Sequence, residues 1–217
     1  MQHWGMCAVF IMSGCGGSDA VIDAPPGQTG DGPHGTIDGT NPLIDSTVTA
    51  DVPGGVGEPP ELMGMTLYHN QVRAAVDTTG VAGGPLPPLQ WDPNLAMYAA
   101  TWAAMCNDTD HNGLVDHNPN RTNVAGYQYI GENIYASGGQ TATAMGAVTG
   151  WANEKVDYTY ATNSCAAGRV CGHYTQLVWR ATQKVGCALQ NCPSLQYPSA
   201  IVCDYGPGGN FNGQSPY

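Results

Sequence analysis

The stretch Asp108-Thr109-Asp110-His111-Asn112-Gly113-Leu114-Val115-Asp116 carries the side chains whose chemistry is plainest from spacing alone. It reads D-x-D-x-N-G-x-x-D, which matches the first nine positions of a calcium-binding loop. Oxygen donors stand at positions 1, 3, 5 and 9, and a glycine stands at the turn. Asp108, Asp110, Asn112 and Asp116 are therefore candidate calcium ligands. Pro119 occupies position twelve, where a bidentate Glu would close the shell. Asp, Asn and Gly are also ordinary turn formers, so a polar turn fits the same letters. The second chemical feature is cysteine. Cys106, Cys165, Cys171, Cys187, Cys192 and Cys203 are an even set of six beyond residue 61. No CxxC pair is present, which disfavours a structural zinc site and favours three disulfides formed in an oxidising compartment. Spacing alone leaves fifteen connectivities open.

These residues sit on a chain of two unlike parts. Residues 15–61 contain eight Asp and Glu and no Lys or Arg, so this stretch supplies most of the net charge of −11. It is rich in Gly, Pro, Asp and Thr, too poor in large apolar residues to offset the entropy of ordering, and is expected to be a disordered acidic tether. Residues 62–217 carry all six basic residues against nine acidic ones. No basic stripe exists to displace counterions, which excludes nucleic acid as a partner. At the N-terminus, residues 4–12 form an apolar run too short to span a bilayer, followed by Ser13-Gly14-Cys15. That pattern resembles a bacterial lipoprotein signal: a leader over 1–14 and lipidation of Cys15. The n-region lacks Lys or Arg, and Met12 stands where Leu is usual. The location implied is extracellular or cell envelope, at the outer surface or in the periplasm. Membrane contact would come only through the lipid anchor.

From residue 62 onward the pattern is that of a folded domain. Leu62, Met65, Leu67, Val72 and Val76 suggest a first helix ending near Asp77. Asp92-Pro93 opens a second, with Asp92 as N-cap and Pro93 in the first turn. Leu95, Tyr98, Ala99 and Trp102 are expected on its buried face. A third helix is expected over 141–154, with Met145, Val148 and Trp151 on one side. β-rich runs fall at 127–135, 184–190 and 199–205. Helices and strands mix without a βαβ repeat, which favours α+β.

Five ordered motifs then give a resemblance. Cys171-Gly172-His173-Tyr174-Thr175-Gln176-Leu177-Val178-Trp179-Arg180 and Ile201-Val202-Cys203-Asp204-Tyr205-Gly206-Pro207-Gly208-Gly209-Asn210-Phe211 are the longest. His69-Asn70 with Arg73, Pro88-Leu89-Gln90-Trp91-Asp92 with Leu95, and Gly131-Glu132-Asn133-Ile134 complete the set. Together they resemble the CAP superfamily of cysteine-rich secretory proteins, antigen 5 allergens and plant pathogenesis-related class 1 proteins. The resemblance covers 62–217. It implies a three-layer α-β-α sandwich with a central antiparallel sheet. By the plant branch, it also implies the pairs Cys165–Cys171, Cys187–Cys203 and Cys106–Cys192. Asp204-Tyr205-Gly206 departs from the plant pattern.

The family carries a cavity lined by two His and two Glu. By that resemblance they are His117, Glu132, Glu154 and His173, with His111 as the alternative to His117. Two imidazoles can hold a divalent cation such as zinc, and two carboxylates can complete the shell, orient a His or activate water. The same four groups could equally be a satisfied polar cluster that holds the layers together. His69 falls among core contacts and reads as structural. No activated nucleophile is evident, since Thr175 is a motif position. The expected function is a non-enzymatic binding module for a lipid, sterol-type or other small ligand, or for an extracellular protein. A metal-dependent hydrolase and a tethered envelope interaction module are the alternatives.

Overall fold

The computed structural model describes Ile44 and residues 57–217. The leader, Cys15 and most of the 15–61 stretch lie outside the described residues. Residues of that stretch which are described belong with the domain. Ile44 is 7% exposed and sits in the main apolar core. Glu58 acts as a remote cap. Its Oε2 accepts from the Gly64 N–H at 2.8 Å and its Oε1 from the Thr66 N–H at 2.7 Å. These N–H groups open helix α1 (Met65–Ala74), whose own N-cap, Gly64, has no side chain to offer.

The remaining elements follow local chemistry. Strand β1 (Gln90–Trp91) leads into α2 (Pro93–Ala103). Asp92 Oδ1 accepts from the Asn94 and Leu95 N–H groups, as the Asp-Pro pair predicts. Then come β2 (Thr122–Val124), β3 (Tyr127–Tyr129), β4 (Gly131–Ser137) and α3 (Ala144–Asn153). The hydroxyl of Thr143 caps α3. A short hairpin of β5 (Tyr158–Thr159) and β6 (Ser164–Cys165) precedes α4 (Gly172–Leu177). The chain closes through β7 (Lys184–Asn191) and β8 (Ser199–Gly206).

The main sheet has the order β1-β7-β8-β4. β4, β8 and β7 pair antiparallel, and β1 joins the far edge in parallel. Side chains along β8 alternate between two cores. Ala200 and Val202 face α2 together with Ala99, Ala103 and Ile134. Ile201, Cys203 and Tyr205 face the layer of α1, α3 and α4 together with Met65, Val72, Val148, Trp151 and Leu177. The result is an α-β-α sandwich. It is braced by Cys106–Cys192, Cys165–Cys171 and Cys187–Cys203.

Two details differ from the sequence expectation. Leu95, Ala99 and Ala103 form the buried stripe of α2, while Tyr98 and Trp102 lie at its flank. Their polar ends explain the position: Tyr98 donates to the Asn120 carbonyl, and Trp102 Nε1 donates to the Asp116 carbonyl at 2.7 Å. Helix α4, only six residues long, is too short to show a period.

His69 ties the layers together at full burial. Its Nδ1 donates to the Met65 carbonyl at 2.7 Å, and Nε2 faces the Tyr205 hydroxyl at 2.8 Å. Burial pushes its imidazole down to about 4. An unfolded His binds its proton near 6.5, so stability is complete above that pH and falls as pH drops from 6.5 to 4, by about 3 kcal/mol. We expect the stability gap between wild type and His69→Asn, measured by urea unfolding, to shrink by about that amount from pH 7 to pH 4. Other titrating groups are shared by both proteins and drop out of the difference. A constant gap would refute the assignment.

Candidate functional site

The four His and Glu residues assemble as two pairs flanking strand β4. His117, in the segment between α2 and β2, places Nδ1 2.6 Å from Glu132 Oε1. The same oxygen accepts from the Asn118 N–H at 2.9 Å. The Glu132 side chain is fully buried and that of His117 is 29% exposed. On the other side of the strand, His173 in the first turn of α4 places Nδ1 2.5 Å from Glu154 Oε1. Glu154 Oε2 accepts from the Tyr174 N–H at 3.0 Å. The His173 ring stacks on Trp151 with centroids 6.2 Å apart and planes 15° apart.

Strand alternation accounts for the division. Glu132 points to the α2 face, and its neighbour Asn133 points to the α3–α4 face. There Asn133 Nδ2 donates to the His173 carbonyl at 3.1 Å and to the Tyr205 hydroxyl at 3.2 Å. A polar chain therefore runs from His173 through Asn133 and Tyr205 to His69. Glycine is required at Gly131 for packing. A Cβ there would meet Gln176 Oε1 at 2.0 Å, and that oxygen accepts from the Gly209 N–H at 2.9 Å.

Ionised carboxylates only accept, so each His donates from Nδ1, which in a neutral ring makes Nε2 the nitrogen with ligating capacity. That is the arrangement of a metal-ligating His whose other nitrogen is fixed by a carboxylate. The donor set fits a divalent cation with the imidazoles as ligands and Glu132 and Glu154 as their holders. It does not make a compact four-ligand cage. Among the described residues, the only group of three or more His, Cys, Asp or Glu ligand atoms lying within 4.8 Å of one another is Asp108, Asp110 and Asp116.

His111 is not at Glu132. It sits in the acidic loop with φ of +60° and is exposed. Within that loop the Gly113 N–H donates to Asp108 Oδ2 at 3.1 Å, and Thr109 donates to Asp116 Oδ2 from its N–H and its hydroxyl. Asn112 donates to both Asp110 oxygens at 3.1 Å, and its own side-chain oxygen accepts from the Leu114 N–H. Asp108 Oδ1 is buried without a hydrogen-bond partner.

A separate cleft opens between α4, the Cys165–Cys171 loop and the C-terminal segment, with a volume of about 190 Å³. Trp179, Phe211, Tyr158 and Val170 give it apolar walls, and Arg169 and Gln214 stand among its polar lining. Sequence reasoning missed it, because its walls come from separate segments between Tyr158 and Pro216. Thr175, at its floor, is tied down: its hydroxyl lies 2.7 Å from Asn210 Oδ1 and 3.1 Å from the Cys171 and Gly172 carbonyls.

A His held by a buried carboxylate on each side of an edge strand, within a three-disulfide α-β-α sandwich, defines a class that the sequence comparisons name. Residues 67–205 match the model of the CAP, or cysteine-rich secretory protein, family, and the chain belongs to that family. It is 40% identical over 151 residues to human GLIPR1-like protein 1, covering 69% of this chain and 59% of that protein's length. It is 40% identical over 149 residues to tobacco pathogenesis-related protein 1A, covering 69% of this chain and 76% of the relative. Among solved structures, Schistosoma mansoni venom allergen-like protein 4 superposes with a TM-score of 0.56 at 26% identity, covering 70% of this chain and 91% of that one. NaASP2, solved with Zn2+, superposes with a TM-score of 0.52 at 27% identity, covering 70% and 82%. Family members are secreted proteins, and the three disulfides fit an extracellular setting. No helix among the described residues is long and apolar enough to cross a membrane.

Proposed function

We propose that the protein is a non-enzymatic extracellular binding module, held at a cell envelope by its lipidated N-terminus and acidic tether. It takes an apolar ring or chain in the Trp179–Phe211 cleft and a divalent cation of the zinc type at His117 and His173. The observation that carries the cation reading is the pair of buried carboxylates on the two Nδ1 atoms, which presents both imidazoles in the ligating tautomer. The Zn2+ in the NaASP2 structure supports that choice of metal. A cation held there would supply Lewis acidity, while Glu132 and Glu154 keep the rings oriented. The binding reading is favoured over hydrolysis by the engaged state of Thr175 and by Glu132 Oε1, which is already committed to two donors.

The cleft size bears on the ligand. At about 190 Å³ it is below the roughly 300–1,000 Å³ of pockets that enclose a drug-sized molecule. It therefore takes one ring or a short chain segment of a sterol or fatty acid, with the rest left outside. A second cation reading, calcium, is favoured by the convergence of Asp108, Asp110 and Asp116 with the unpartnered Asp108 oxygen.

One set of titrations tests these readings on the folded protein. Zinc calorimetry is expected to show saturable binding that weakens at least tenfold in His117→Ala. Calcium heat should vanish in Asp110→Ala. Trp fluorescence should respond to a labelled sterol or fatty acid, and the response should be lost in Phe211→Ala. Zinc binding unchanged by His117→Ala would reject the site. No response across the lipid panel would reject the cleft. Zinc-dependent peptide turnover abolished in Glu132→Gln would establish the hydrolase instead.

A further inference from the structure

The end of the main sheet remote from Glu132 carries a depression of its own. Its volume is about 530 Å³, within the roughly 300–1,000 Å³ of sites that hold a small molecule. Strand register builds it. Ser137 of β4 lies opposite Ser199 of β8, and Ser199 lies opposite Asn191 of β7. Directly opposed residues share a face, with Cβ atoms about 4.5–5.5 Å apart. The three side chains therefore form one row of hydroxyl, hydroxyl and amide across three strands. Two residues further in on the same face, Leu189 and Ile201 belong to the core under α1, α3 and α4. The row is where that core gives way to solvent. Gln140 and Thr141, from the loop between β4 and α3, add their side chains to the lining.

The lining selects the chemistry of what can sit there. It contains no Asp, Glu, Lys, Arg or His. An ionic ligand would give up water with no counter-charge to replace it, and a lipid tail would strand the hydroxyls and amides. The polar groups are also uncommitted. Among the described residues, the side chains of Ser137, Gln140, Thr141 and Asn191 have no hydrogen-bond partner within the protein. Gln190 keeps its side-chain carbonyl free, its amide nitrogen being spent on the Asn191 carbonyl at 3.0 Å. Hydroxyl and amide side chains each donate and accept, as every hydroxyl of a sugar does. The frame around them is fixed in advance. The Ala142 N–H donates to Ser199 Oγ at 2.8 Å and ties the loop to the sheet. Cys192, beside Asn191, is held by its disulfide to Cys106 and by its N–H on the Pro198 carbonyl at 2.6 Å. Tyr197 lays a partly exposed ring against Gly138, where a Cβ would fall 3.1 Å from the ring.

We propose that this depression binds a neutral saccharide, whose hydroxyls are read by Ser137, Gln140, Thr141 and Asn191 and whose C–H face packs on the Tyr197 ring. A preorganised lattice of small polar side chains loses little entropy on meeting such a ligand, and an amphipathic ring at the rim suits its apolar face. A peptide fits less well. Its alternating N–H and C=O groups are read by an open strand edge, and the β4 edge is engaged at Ile134, whose carbonyl accepts from Trp151 Nε1 at 3.0 Å. The site shares no residue with the two His–Glu pairs, the acidic loop or the Trp179–Phe211 cleft, so it stands whether or not those readings hold.

The test puts the labelled full chain on an array that carries neutral oligosaccharides of glucose, mannose, galactose and N-acetylglucosamine beside sialylated and sulfated ones. Retention is expected on a subset of the neutral glycans only. The best retained of these, titrated into ¹⁵N-labelled protein, should shift the backbone amides of residues 137–141 and 189–191. Gln140→Ala/Asn191→Ala removes two exposed side chains that hold nothing else in place, and should weaken binding about tenfold or more, the loss expected for two hydrogen-bond partners. Retention of no neutral glycan, or of anionic ones alone, would overturn the proposal. So would shifts confined to other residues, which wild type reveals even if the double variant does not fold. An affinity unchanged in a folded double variant would overturn it as well.

Discussion

Replacing Arg73 by Met is expected to destabilise the domain by about 3–5 kcal/mol, a large part of the 5–15 kcal/mol typical of a whole domain. Arg73 is 1% exposed, and among the described interactions its partners are all carbonyls. Nε donates to Pro87 at 2.8 Å, Nη1 to Leu177 and Trp179 at 2.9 Å each, and Nη2 to Thr182 at 3.4 Å. One planar fork thus joins the loop before β1, the end of α4 and the turn before β7. Burial, and then Arg180, press its guanidinium down to about 10, so it is still charged at neutral pH. Met fills similar volume but leaves four carbonyls without their donor, each a desolvation penalty of about 1–3 kcal/mol before relaxation. Arg73→Lys should recover little, because a point ammonium cannot reach four acceptors spread around a fork. Urea midpoints measure this. A midpoint within error of wild type for Arg73→Met would show that the carbonyls find water instead.

Removing Cys106–Cys192 is expected to cost more than removing Cys165–Cys171. The first closes a separation of 86 residues and the second a separation of 6. In the chain-entropy model these correspond to about 4.6 and about 2.2 kcal/mol. Cys106–Cys192 ties the end of α2 to the end of β7, so its loss also frees a helix that caps one whole face of the sheet. Cys165–Cys171 closes only the loop ahead of α4. Thermal unfolding of the Cys106→Ala/Cys192→Ala and Cys165→Ala/Cys171→Ala variants, each against wild type, should show the larger drop in the first. The reverse order would mean that native-state strain or residual unfolded structure dominates the cross-link entropy.

Local chemistry was the legible part of the sequence. Asp92-Pro93 marked the start of α2 because an N-cap acceptor and a missing N–H act within three residues. The β runs near 184–190 and 199–205 were legible because period-2 alternation against two cores leaves a mark. Helix α4 was not, since GHYTQL is barely two turns long, and β1 was not, since two residues pair with a strand more than ninety positions away. The cap on α1 escaped because Glu58 reaches forward six and eight residues, outside any capping-box spacing. At the site, the resemblance named all four His and Glu residues, but only strand pleat separates them into two pairs on opposite faces of β4. The row of Ser137, Ser199 and Asn191 depends on register, which no single sequence displays. Arg73 stood in a motif, but its carbonyl targets come from three distant segments.

Strand order has a further consequence, for the order in which the molecule can be made. β8 is an interior strand of the sheet, hydrogen-bonded on both sides, and it spans Ser199–Gly206 of a 217-residue chain. Until residue 206 has left the ribosome or the translocation channel, β4 and β7 have no common neighbour and both cores lack a wall. Tyr205 cannot meet His69, 136 residues upstream. Folding of the domain therefore waits for β8 to be made, and long-range closure of this kind is slow. Any export step that needs an extended polypeptide has that whole interval in which to act.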